Sequence, residues 1–292
     1  MDDKLTIATF LGIFLVTQAL GLYIGTQYIQ AIAIGVAEPV VENPENIGNS
    51  FMLFFYILVG TGMMILMIKY IKFFIRIIEA VAVLTASYIT IGFLLPNYFS
   101  IFYIIFLDVP IFLVPAMLAT ILTIWKIFRP SILNQNIAVI STVSGVGALL
   151  GASLGILPVL VFMIILSIYD FVSVFITKHM VYMAKALTER PTAFTAAVPH
   201  TLKGYKVSKS GMGKKIHVFQ LGAGDILIPL LFSVSVLKTF SLTNSIFVIF
   251  GSAIALGLLI SYVMKRPGKA LPALPFVSLG GMAGLLLSFL IG

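Results

Sequence analysis

The chain has 292 residues, of which 60% are hydrophobic and 10% charged, and its formal net charge is +8. Soluble domains hold roughly 45–50% apolar and about 25% charged residues, so a soluble globular protein is excluded. Cysteine is absent, which excludes disulfides, thiolate nucleophiles and iron–sulfur ligation. A basic soluble domain is also missing, so no nucleic-acid partner is expected.

In chain order, apolar runs between charged or Pro/Asn-rich breaks predict nine membrane spans, near residues 5–31, 51–71, 77–95, 99–124, 132–154, 156–177, 217–238, 244–264 and 271–291. One helix needs about 20 such residues to cross a hydrocarbon core about 30 Å thick. Only Gly155 to Pro158 separates the fifth span from the sixth, which demands a tight turn. No cleaved leader is expected, because the first span is long and follows Asp2 and Asp3 rather than a basic stretch. The expected fold is an all-α polytopic membrane protein, one membrane-embedded domain over residues 1–292 with a basic loop at 178–216.

With nine alternating spans, 17 of the 18 Lys and Arg residues fall on one side and only Lys238 on the other, where Glu38, Glu42 and Glu45 also lie. Lys and Arg are retained in the cytoplasm, so the N-terminus is expected inside and the C-terminus outside, in a multi-pass protein of the cell membrane. The net charge then reads as topology and affinity for anionic lipid of the bilayer.

Catalytic signatures are few. His179, His200 and His217 lack metal-ligand spacing, no H-E-x-x-H occurs, and neither a metal nor another cofactor is expected. Carboxylates remain. Glu79, one turn after Arg76, reads as half of a surface ion pair. Asp108, Asp170 and Asp225 lie inside spans, each at a cost of about 2.5–3.5 kcal/mol, and such residues mark function. Asp170 is eight residues before Lys178 and Asp225 ten after Lys215. At about 1.5 Å per residue both stand roughly 12–15 Å from the cytoplasmic boundary. Asp108, eighteen residues from Lys126, stands about 27 Å away and does not join them.

Around that pair, Ser167, Asp170, Ser173 and Thr177 form a narrow polar stripe on the sixth helix. On the seventh, Gly222 and Gly224 remove Cβ atoms beside Asp225, and Pro229 deletes the donor to the Asp225 carbonyl. Two carboxylates a few ångströms apart share one proton, which is the arrangement of aspartic proteolysis. Gly147, Gly151 and Gly155, with Gly280 and Gly284, read as close-packing faces, and Gly62 to Met67 as lipid-facing filler. Two prolines at 272 and 275 are expected to hold Leu271 and Leu274 extended, giving an edge for an unwound substrate.

"YD" at Tyr169 and Asp170, "GAGD" at Gly222 to Asp225 and "PALP" at Pro272 to Pro275 occur in that order on the sixth, seventh and ninth spans. In this the chain resembles, over nearly its whole length, the presenilin and signal peptide peptidase family of intramembrane aspartyl proteases. "GAGDILIP" is similar to the signal peptide peptidase branch, "PALP" and the N-inside orientation to presenilin, as in a microbial presenilin-like homologue. The resemblance implies that Asp170 and Asp225 are the catalytic dyad, that Pro272, Ala273 and Leu274 stand near it, and that substrates are transmembrane segments. Tyr169, offset by about 100° from Asp170 on a helix, reads either as packing beside the site or as a direct catalytic group. The 178–216 loop is much shorter than its presenilin counterpart, so self-cleavage is not expected, and companion subunits are not implied. Two other classes also use intramembrane aspartates: an ion or proton transporter, which would show an internal repeat, and a prepilin-peptidase-like G-x-G-D protease, which would lack the PAL motif.

Overall fold

The computed structural model describes residues 3–95, 113–180, 194–199, 218–265 and 271–291. Among them are nine helices: α1 (Asp3–Ala33), α2 (Gly48–Tyr70), α3 (Lys72–Leu94), α4 (Leu113–Phe128), α5 (Ile132–Ser153), α6 (Ile156–Phe175), α7 (Ala223–Thr239), α8 (Leu242–Met264) and α9 (Leu274–Ile291). Two short antiparallel strands, β1 (Thr195–Pro199) and β2 (Val218–Gly222), precede α7. Seven of the helices are long and apolar enough to cross a membrane; α4 and α7, at 16 and 17 residues, are shorter. The all-α expectation holds, with this small hairpin added.

The strands correct the start of the seventh span. Residues 218–222 are extended, and the helix begins only at Ala223. A short apolar run with Val218 and Phe219 suits a buried strand as well as a helix, and hydropathy does not separate the two.

α7 is the centre of the bundle, touching α1, α5, α6, α8 and α9. Ile226, Leu230, Leu231, Phe232 and Val234 are fully buried. Close seating comes from glycines. A Cβ at Gly147 would stand 2.7 Å from a Leu230 methyl, and one at Gly151 only 2.6 Å from the Leu231 carbonyl oxygen. Gly280 and Gly284 of α9 likewise meet the backbone of Gly251 and Phe247 on α8, so Gly147, Gly151, Gly280 and Gly284 pack as expected, whereas Gly155 lies in the turn after α5 and faces the Glu45 carboxylate of the first loop. In contrast α2 leaves Phe51, Phe55, Met63 and Leu66 more than half exposed, the face of a helix solvated by lipid.

Two residues join α5 to α6. The first loop clamps this turn: the Gly155 N–H donates to the Pro44 carbonyl at 2.8 Å and the Val40 N–H to Ser153 Oγ at 3.0 Å. Glu79 departs from the sequence reading. It is buried and pairs with Lys126 of α4, also buried, while Arg76 faces outward. Helix α4 is adjacent to α3 in space, a neighbour that the one-turn spacing of Arg76 and Glu79 does not reveal.

Candidate active site

Asp170 and Asp225 come together at the N-termini of two helices. Asp170 lies buried on α6, facing the start of α9. The chain is non-helical from Leu271 to Ala273, and the Leu274 N–H then donates to Asp170 Oδ2 at 3.2 Å. The Ala273 N–H donates to the same carboxylate. The first N–H groups of a helix have no intrahelical acceptor and carry partial positive charge, so a carboxylate from a neighbouring helix satisfies them. Leu274 is helical, against the expectation of an extended residue there. Pro275 falls in the first turn of α9, where its missing N–H would have been unused, and its fixed φ suits a helix start.

Asp225 is the third residue of α7 and folds back to accept a hydrogen bond from the Gly222 N–H. That is half of a capping box; with glycine as the N-cap there is no side chain to reciprocate. Gly222 is thus the last residue of β2 rather than part of the helix. Its Cβ, if present, would stand 3.1 Å from Asp225 Oδ2, whereas one at Gly224 would meet nothing within 4 Å. The approach past Gly224 is open. The two carboxylates are close enough to interact electrostatically.

The strand pair that delivers Asp225 is anchored by α5. Asn136 donates from Nδ2 to the Ala197 carbonyl and accepts the Ala197 N–H at Oδ1, each at 2.8 Å, so one amide imitates a neighbouring strand. Gln135 donates to the Thr195 carbonyl. Sequence reasoning overlooked both amides, although uncharged polar residues at the edge of an apolar span are a signal for interhelical or backbone pairing.

Tyr169 turns away from the carboxylates. Its hydroxyl is 2.9 Å from His179 Nε2, and its ring meets Phe54 of α2 edge-on with centroids 5.6 Å apart. Of the polar stripe, Ser173 bonds back to the Asp170 carbonyl at 2.9 Å, and Ser167 lines a cavity of about 220 Å³ between α6 and α9 together with Pro275 and Ser278. Asp108 lies outside the described residues.

These contacts give Pro272 a defined job. Its replacement by alanine adds a backbone N–H and frees φ, so that α9 can begin earlier and carry its first N–H groups off Asp170. Pro272→Ala should lower kcat/KM by about 10-fold, a hydrogen-bonding loss of about 1.4 kcal/mol. The loss should be equal on a helical single-span substrate and on a pre-extended peptide assayed side by side. A loss confined to the helical substrate would assign this segment to holding substrate instead.

Residues 11–292 match the family model described as signal-peptide peptidase, presenilin aspartyl protease. The curated proteins contain no match. Two solved structures described as a presenilin family intramembrane aspartate protease share this fold at 20% identity. The one in space group C222 aligns with a TM-score of 0.63 over 99% of this chain and 100% of its own. The one in space group P2 aligns with a TM-score of 0.64 over 97% and 96%. Taken with the paired carboxylates inside a multi-pass membrane fold, the match over nearly all its length makes this chain a member of the signal-peptide peptidase and presenilin family, an intramembrane aspartic protease.

Proposed function

We propose that Asp170 and Asp225 are the catalytic dyad and that the enzyme cuts peptide bonds within transmembrane segments of other proteins of the cell membrane. The observation that supports this is the meeting of two carboxylates from sequence-neighbouring helices, each held by backbone N–H groups. Among the described residues no cation forms a salt bridge with either. A structural buried carboxylate is ordinarily matched by a cation, whereas a pair of like groups is suited to sharing one proton.

In the reaction, the ionised carboxylate takes a proton from water as the water oxygen bonds to the scissile carbonyl carbon. The protonated carboxyl gives its proton to the carbonyl oxygen, forming a neutral gem-diol. A proton then passes to the amide nitrogen, the C–N bond breaks, and the products are a carboxylic acid and an amine. Water is the sole co-reactant that this chemistry needs. Gly222 and Gly224 leave room for the substrate backbone beside Asp225, while Ala273 and Leu274 keep Asp170 aimed. Tyr169 supports the wall through Phe54 and His179.

With the N-terminus inside, the dyad stands about 12–15 Å from the cytoplasmic face, so cuts fall in the inner half of a substrate span. A chiral site accepts a strand in one direction, here that of substrates with their N-terminus outside. The test uses liposomes of sided enzyme with two matched single-span substrates inserted in opposite orientations, their products read by mass spectrometry. The N-outside substrate should be cut preferentially and in its inner half. Preference for the N-inside substrate, or cuts clustered in the outer half, would overturn this reading.

A further inference from the structure

Gln18 sits at the midpoint of α1, fully buried. Its Nε2 donates to the Ile226 carbonyl at 2.9 Å, 208 residues away in sequence and one residue past Asp225. Its Oε1 is buried without a partner. Gln18, Gly21 and Gly25 lie on one face of α1, and they meet Ile226, Leu230 and Val234 at successive turns of α7. A Cβ at Gly25 would stand 2.7 Å from a Val234 methyl, so the two helices are in close contact along this seam. On another side, Gly147 and Gly151 of α5 seat Leu230, Leu231 and Val234.

The body of α7 is thus gripped by apolar contacts, but its first turn, which carries Asp225, is not held in the same way. Pro229 has no N–H to offer the Asp225 carbonyl, which removes one of the few bonds tying that turn to the next. The Gln18 bond lands on the adjacent carbonyl, at the junction Pro229 weakens. If its purpose were adhesion of α1 to α7, an apolar side chain of the same length would serve better, because the orphaned Oε1 costs stability.

We infer that Gln18 is a positioning residue for peptide hydrolysis: its amide holds the first turn of α7 so that Asp225 meets Asp170 at the working angle. This rests on the assignment of Asp225 to the dyad.

The experiment measures kcat, KM and melting temperature of gel-filtered Gln18→Met on one single-span peptide in detergent. Small displacements of reacting groups are costly, so kcat should fall on the order of 10-fold. KM should stay within about two-fold, since substrate binding does not involve this bond. The melting temperature should be unchanged or raised. Gln18→Asn, which keeps the amide but is one methylene too short to reach, should show the same loss of kcat. Pro229→Ala restores a donor for the Asp225 carbonyl, and in that background Gln18→Met should cost less than about 3-fold. A kcat equal to wild type, a loss that only follows a lowered melting temperature, equal losses in both backgrounds, or failure of both Gln18 variants to fold would each overturn the inference. Asp225→Asn is assayed alongside: if it still cleaves, the dyad assignment itself fails, whereas an inactive Asp225→Asn beside a fully active Gln18→Met leaves the dyad standing and removes Gln18 alone.

Discussion

Asp170→Asn and Asp225→Asn should each lower turnover on the order of 10⁴-fold while leaving the protein folded. Either change keeps the size of the side chain but removes a group that can take or give the transferred proton. The fold should tolerate both. In Asp170→Asn the amide retains an oxygen able to accept the Leu274 and Ala273 N–H groups, and in Asp225→Asn it retains one for the Gly222 N–H. Asp108→Asn should keep most of the activity, because its eighteen-residue spacing from Lys126 sets it apart from the pair in the sequence reading. Initial rates on a single-span peptide, with gel filtration and melting temperature as controls for folding, check all three. Cleavage persisting in both dyad variants would remove the aspartic mechanism from these residues.

Asn136→Leu should have the largest effect among changes away from the carboxylates. It strips both hydrogen bonds from the Ala197 backbone, which is fully buried. Each buried group left unsatisfied costs about 1–3 kcal/mol, so the loss of both should be about 2–6 kcal/mol. β1 is the strand against which β2 is registered, Ala197 opposite Gln220 and Thr195 opposite Gly222. A shift there moves the N-cap of α7 and with it Asp225. The melting temperature should fall by several degrees, with a parallel loss of activity. Asn136→Asp, which still accepts the Ala197 N–H but cannot donate to its carbonyl, should fall between the two. A Leu variant melting with the wild type would show that the hairpin does not depend on this amide.

The parts of this protein written in one dimension are legible in the residues alone. Nine spans follow from the length of apolar run that hydrocarbon requires, and the two central aspartates stand out because a charge is costly there. Their shared depth follows from counting residues to the nearest lysines, since the helix rise is constant. Glycine rows on α5 and α9 announce close packing because lipid offers no hydrophobic force between helices, leaving contact distance to decide.

Tertiary structure decided what pairs across the chain. The Leu274 N–H reaches Asp170 over 104 residues, Gln18 reaches Ile226 over 208, and Asn136 meets Ala197 over 61. Residues 218–222 read as helix by hydropathy but became a strand once β1 and the Asn136 amide satisfied its neighbourhood. Glu79 likewise took its partner from α4 rather than from its own helix. By itself the sequence determined the membrane setting, the spans and the candidate carboxylates, because solvation by lipid acts on each segment separately. How those carboxylates are aimed was decided only by the tertiary structure, because a hydrogen bond takes whichever buried partner the packed bundle brings within about 3 Å.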